Sequence, residues 1–157
     1  MSCEVAAPDA QEDPLSLDRQ VCFPLYAATN LLNRLYGPVL GELGLTYPQY
    51  LVMLVLWEHQ PQTVGGLGER LYLDSGTLTP LLKRMEVSGF VSRTRDPHDE
   101  RRVMIGLTDK GRALRKQALH VPETMANGYK PEGIEDLRES VRSLVSILAQ
   151  HKPRGKG

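Results

Sequence analysis

Between Leu73 and Leu107 an amphipathic helical pattern runs straight into two short extended runs, and this order of elements admits few folds. Asp74 is a residue whose side chain accepts free backbone N–H groups at a helix start. Leu78, Leu81, Leu82 and Met85 come next at i, i+3, i+4, i+7, which lines one face of a helix with apolar side chains, and Gly89 is a natural stop. Phe90–Thr94 and Val103–Leu107 then read as strands, joined by a charged tip from Arg95 to Arg102 in which Pro97 and the aspartates favour a turn. A helix leading into a basic-tipped hairpin predicts a winged helix-turn-helix.

The polar side of the predicted helix carries Ser75, Gly76, Thr77, Thr79, Pro80, Lys83 and Arg84. Small hydroxyl residues at a helix N-terminus can approach phosphates and base edges, and the two cations add full charges. The wing, with Asp99, Arg101 and Arg102, would bring a guanidinium to the neighbouring minor groove, whose negative potential attracts it. Charge alone does not decide this: Lys and Arg also make ordinary solvated faces, and Glu86, Asp96, Asp99 and Glu100 dilute the patch. The order of elements is what favours DNA.

The remaining chain supports a mainly α fold with a small β-hairpin wing. Thr46 and Gln49 make a capping box, Pro48 fits a first turn, and the apolar run Tyr50–Trp57 predicts a helix at the centre of the core. Val64–Leu71 is a Gly-rich third helix with Leu67 and Leu71 as core residues, and Leu73-Asp74 is the turn of the helix-turn-helix. Leu25, Ala28, Leu31, Leu32 and Leu35 give an N-terminal helix that runs to about Tyr36, where Gly37 and Pro38 disturb it. Pro24 puts Cys22 at either a helix start or a kink. Thr108 caps a helix to about His120, interrupted by Pro122 and Gly128, and Ile134, Leu137, Val141, Leu144, Val145 and Leu148 form a narrow stripe on a last helix. Such a stripe suits core packing or a homodimer.

Met1–Pro14 lacks apolar periodicity and reads as a disordered tail, leaving 15–157 as one domain: a winged lobe over about 45–107 between dimerisation helices over about 15–42 and 108–150. No signal-peptide pattern or membrane span is evident, so a cytoplasmic protein is expected. A net charge of zero excludes a grip on nucleic acid by bulk charge; any DNA binding is local and dimeric. Cys3 and Cys22 have no metal-site spacing, and no phosphate-loop, dinucleotide or zinc-protease motif occurs, so neither a catalytic site, a metal nor a cofactor is expected.

The element order, the wing D-x-R of Asp99 and Arg101, and the Leu107-Thr108 pair resemble the MarR family of dimeric winged-helix repressors over nearly the whole chain. The segments LDRQVCFPLY, LTYPQYLVMLVLWE and GERLYLDSGTLTPLLKRME are similar to those of the organic hydroperoxide resistance regulators. The resemblance implies that Cys22 is the peroxide-sensing cysteine, that Tyr36 and Tyr47 of the partner subunit hydrogen-bond it, and that Tyr26 belongs to the same pocket. It places Ser75, Gly76, Thr77, Thr79 and Lys83 in the recognition helix and makes Arg101 the wing-tip arginine. Two-cysteine members carry a resolving cysteine shortly after a segment like Val121-Pro122-Glu123; here Thr124-Met125-Ala126-Asn127 stands there, which implies single-cysteine chemistry completed by a low-molecular-weight thiol.

The implied function is a repressor of a peroxide-resistance gene, bound to a palindromic operator until an organic hydroperoxide oxidises Cys22 to the sulfenic acid. The chemistry is sound, since a thiolate attacks a peroxide oxygen and phenol donors favour a charged neighbour, while Phe23 and Leu25 offer an apolar surround for an organic tail. Without the resemblance, a lone cysteine on an amphipathic helix is more often a small buried hydrophobe. The alternatives are a MarR-type repressor that answers a phenolic ligand, and a thiol peroxidase, which would need a βαβ scaffold that the pattern does not show.

Overall fold

The computed structural model describes residues 13–128 and 133–151, so Cys3 and the expected tail, except for Asp13 and Pro14, lie outside it. Asp13 is part of a turn, its carboxylate accepting from Leu15 N–H at 2.9 Å, and one turn of 3-10 helix comes next at Leu17–Arg19. Helix α1 spans Cys22–Glu42, α2 Tyr47–Glu58, α3 Val64–Leu71, α4 Ser75–Val87, α5 Asp109–Ala118, α6 His120–Gly128 and α7 Ile134–Gln150. Strands β1 (Gln62–Thr63), β2 (Val91–Asp96) and β3 (Asp99–Leu107) form an antiparallel sheet in the order β1-β3-β2.

Polar residues set the helix starts. Thr46 and Gln49 close the capping box on α2, Thr46 N–H donating to Gln49 Oε1 at 3.0 Å. Thr63 accepts from Gly66 N–H at 2.9 Å, Asp74 from Thr77 N–H at 2.8 Å and Thr108 from Gly111 N–H at 3.0 Å, heading α3, α4 and α5. α1 and α4 end at left-handed glycines, Gly44 at φ +70° and Gly89 at φ +79°, each preceding a buried residue, Leu45 and Phe90.

α1 does not stop near Tyr36, as its Gly37-Pro38 pair predicts; it continues to Glu42 with Pro38 inside. Pro38 forfeits one helical hydrogen bond and costs about 3 kcal/mol. Beyond it Leu40 and Leu43 are both buried, and each buried leucine is worth roughly 1.5–3 kcal/mol, which offsets that cost. Pro24 lies in the first turn, so Cys22 sits at a helix start rather than a kink.

The described chain divides into two compact units, one up to Val121 and one from Pro122 onward. In the first, α2 is central: Tyr50, Val52, Met53, Val55 and Leu56 are buried. Leu67 of α3 and the expected stripe Leu78, Leu81, Leu82 and Met85 of α4 are buried too, while Leu71 is only half-buried. The wing differs from its sequence reading. Its strands reach Asp96 and Asp99, so Arg101 and Arg102 belong to β3, and only Pro97 and His98 turn the chain. β1 adds a third strand, Gln62 opposite Ile105 and Thr63 opposite Met104. Two residues carry no periodicity, so only their pairing reveals them.

Close packing at Gly111 makes a sharp prediction. A Cβ there would overlap the Phe90 carbonyl oxygen, which is backbone and cannot swing aside. Gly111→Ala is expected to lower stability by about 1–3 kcal/mol. An unchanged urea midpoint would overturn that reading.

The expected interruption after α5 moves. The break falls at Leu119, and Pro122 lies in the first turn of α6, where its missing N–H costs little. α7 begins after Gly133, at φ +81°, and presents Ile134, Leu137, Val141, Val145 and Leu148 exposed, with Leu144 half-buried.

Candidate nucleic-acid interface and cysteine site

α4 separates its two faces cleanly. Opposite the buried leucines, Ser75, Gly76, Thr77, Pro80, Lys83 and Arg84 are exposed, and Thr79 is half-buried. Asp74 occupies the Thr77 N–H, so the helix N-terminus is partly neutralised by its own cap and the positive charge rests on the side chains. Among the described residues neither Lys83 nor Arg84 is held in an ion pair. Both remain available to a phosphate.

The wing tip is built by short side-chain to backbone bonds. Asp99 accepts from Arg101 N–H at 3.1 Å, Asp96 from His98 N–H at 2.9 Å, and the Arg95 guanidinium donates to the Glu100 carbonyl at 2.7 Å. Asp99 therefore shapes the turn. Arg101 and Arg102 stay exposed and without an ion-pair partner among the described residues. With Thr79, Arg93 and the Thr63–Gly66 start of α3 they line a cleft of about 430 Å³ between wing and helices.

Sequence patterning does not reveal Arg93 as part of this face. It lies on β2, 3.7 Å from Glu86 of α4, with its Nε buried and without a hydrogen-bond partner. The only sequence signal is its alternation with Val91 and Arg95.

The predicted sensor residues fall into two groups. Cys22, a free thiol, is the first residue of α1, and Tyr26 stands one turn later; both are exposed. Tyr36 lies 14 residues farther along α1 than Cys22, about 21 Å at 1.5 Å per residue. There it meets Tyr47 of α2 with ring centroids 4.9 Å apart. Tyr50 joins them at 6.3 and 6.5 Å, and Trp57 continues the line 6.5 Å from Tyr50 and donates its indole N–H to the Gly111 carbonyl at 3.0 Å. Sequence reasoning misses Tyr50 and Trp57 as partners, although Tyr47, Tyr50 and Trp57 at i, i+3 and i+10 share one side of α2. The fold thus unites Tyr36 with Tyr47 and leaves Cys22 far from both within one chain.

Burial, and secondarily the neighbouring Tyr36, raises the Tyr47 phenol above its usual value; Tyr50 is raised by burial first and then by Tyr36 and Tyr47. Both are protonated donors at neutral pH. Because the folded value exceeds the unfolded one, this stabilisation is full below about pH 10 and is lost as pH rises through the folded value. Alkaline unfolding is expected to begin near pH 10 and to shift upward in Tyr47→Phe. A midpoint that does not move would refute it.

Residues 34–118 match the family model described as transcriptional regulator SarA/Rot. The organic hydroperoxide resistance transcriptional regulator of Bacillus subtilis is 47% identical over 87% of this chain and 92% of its own. The protein belongs to the SarA/Rot family of transcriptional regulators. Among solved structures, reduced AbfR bound to DNA superposes with a TM-score of 0.72 at 36% identity, over 84% of this chain and 93% of that one. Disulfide-formed AbfR superposes at 0.61 and 39% identity, over 82% and 92%; AbfR comes from Staphylococcus epidermidis. As a member of this group the chain is a winged-helix transcriptional regulator and not an enzyme.

Proposed function

We propose that this MarR-type regulator is a homodimeric cytoplasmic repressor that holds a palindromic operator through α4 and the wing and releases it when an organic hydroperoxide oxidises Cys22. On this reading 15–157 acts as one functional domain. The observation that carries the sensor is the separation of about 21 Å between Cys22 and its own Tyr36–Tyr47 pair. An exposed thiol at the head of an exposed apolar helix face finds these two phenol donors only on a second chain. Leu31, Leu32 and Leu35 of α1 and the α7 stripe supply the apolar surface that such a second chain would cover.

The Cys22 thiolate attacks the distal peroxide oxygen; the O–O bond breaks, sulfur loses two electrons, and the leaving alkoxide takes a proton to become the alcohol. The sulfenic acid then condenses with a low-molecular-weight thiol, forming a mixed disulfide and water. The added atoms disrupt the hydrogen bonds from Tyr36 and Tyr47 of the partner, while Tyr26, one turn from Cys22, lines the same pocket. Cys22 thereby controls the separation of the two α4 helices, which must match half-sites about 34–36 Å apart.

Lys83, Arg84, Arg101 and Arg102 then supply phosphate or groove contacts, with Ser75, Gly76, Thr77, Thr79 and Pro80 at the base edges and Asp99 fixing the wing turn. Fluorescence anisotropy on DNA upstream of the protein's own gene tests this: the reduced protein binds, and stoichiometric cumene hydroperoxide releases it. Lys83→Ala is expected to weaken all duplexes alike and to reduce the salt slope by about 1. An unaltered slope would remove Lys83 from the phosphate contacts.

A further inference from the structure

Among the described residues, three helices stop with the same backbone bond, and one of them does so with a residue poorly suited to it. Leu45 N–H donates to the Leu40 carbonyl at 3.0 Å, Phe90 N–H to Met85 at 3.0 Å, and Leu73 N–H to Gly68 at 2.9 Å. In each case the residue before the donor turns left-handed. At the ends of α1 and α4 that residue is glycine; at the end of α3 it is Tyr72, at φ +56°. A side chain is strained there, and a bulky one makes an outlier of the kind that persists at functional positions.

Among the described residues nothing compensates for the strain. Tyr72 is 68% exposed and has no ring contact or hydrogen bond with any of them. The turn itself is tightly made, since a Cβ at Gly68 would lie 2.6 Å from the Leu73 carbonyl oxygen. Tyr72 shares a shallow cleft of about 410 Å³ with Glu69, Asp74 and Ser75, Ser75 being the first residue of α4. Of the residues lining that cleft, only Tyr72 and Ser75 carry a side-chain hydrogen-bond donor.

A helix entering the major groove is flanked by phosphates, and the turn just before its N-terminus lies at the groove's edge. We propose that Tyr72 donates its hydroxyl to a backbone phosphate of the operator, so that the left-handed tyrosine is kept for DNA binding and not for folding. Its neighbours Glu69 and Asp74 are acidic, and a long neutral donor reaches a phosphate from such a turn. This inference rests on operator binding through α4.

The test uses the full-length reduced protein on a fluorescent operator duplex, comparing Tyr72→Phe, Tyr72→Gly and Lys83→Ala. Tyr72→Phe keeps the ring and the backbone strain and removes one neutral donor; it should bind about 3–10-fold more weakly, the worth of one hydrogen bond, with an unchanged salt slope. Tyr72→Gly should lose at least as much affinity while its Tm rises by about 2–4 °C from relief of the strain. Should Lys83→Ala weaken binding while both Tyr72 variants bind like the wild type, the inference is overturned and operator binding stands. If the wild type binds no duplex, both readings fall together.

Discussion

Cys22→Ser is expected to remain on its operator through a hydroperoxide challenge that removes the wild type. Before oxidation the two should bind alike, because a serine hydroxyl at the helix start is close to the thiol in size and accepts the same hydrogen bonds from the partner's phenols. After stoichiometric cumene hydroperoxide the wild type should lose roughly 100-fold in affinity, near the top of the range for coupling between sites, while the variant loses nothing. The serine hydroxyl cannot become a sulfenic acid, so the step that displaces the phenols of Tyr36 and Tyr47 never occurs. Anisotropy titrations of both proteins, with mass spectrometry to confirm the mixed disulfide on Cys22, measure it. Equal release of both proteins would move the signal to a non-covalent ligand. A wild type that consumes peroxide continuously in the presence of thiol would argue for a peroxidase instead.

A charge placed in the apolar stripe of α7 should have an effect of similar size by another route. Val141 lies mid-stripe, exposed in the single chain, between Leu137 and Val145. Val141→Glu therefore leaves the fold of one chain intact, so its circular dichroism should match the wild type. Across a dimer the carboxylate would be buried without a partner, at a cost of several kcal/mol per chain. The protein should sediment as a monomer at micromolar concentration. Operator affinity should fall by about 10²–10⁴-fold, because two linked half-site contacts become independent. A variant that remains dimeric would exclude α7 from the interface.

Helix α4 is legible almost to the residue. Its signals are local: Asp74 can cap only the turn directly after it, and the spacing from Leu78 to Met85 is a property of the chain itself. The same holds for Thr46–Gln49 ahead of α2 and Thr108 ahead of α5. Element ends are less legible wherever a proline stands near them. Pro38 argues for a stop that the buried Leu40 and Leu43 override, and Pro122 marks a break that the chain places at Leu119, because the penalty for proline depends on where the turn begins.

What the sequence by itself determined is the set of locally caused features: the capped helices, the apolar faces, the polar face of α4, and the presence of a thiol at residue 22. The tertiary structure alone decided what depends on residues far apart in the chain. It recruited β1 into the sheet, brought Arg93 beside Glu86 and the wing arginines, aligned Tyr36 with Tyr47, Tyr50 and Trp57, and set Tyr72 in a left-handed turn. Neither pairing across a sheet nor the strain of a single backbone angle leaves a periodic trace in the residues that take part, because both are imposed by partners that only folding supplies.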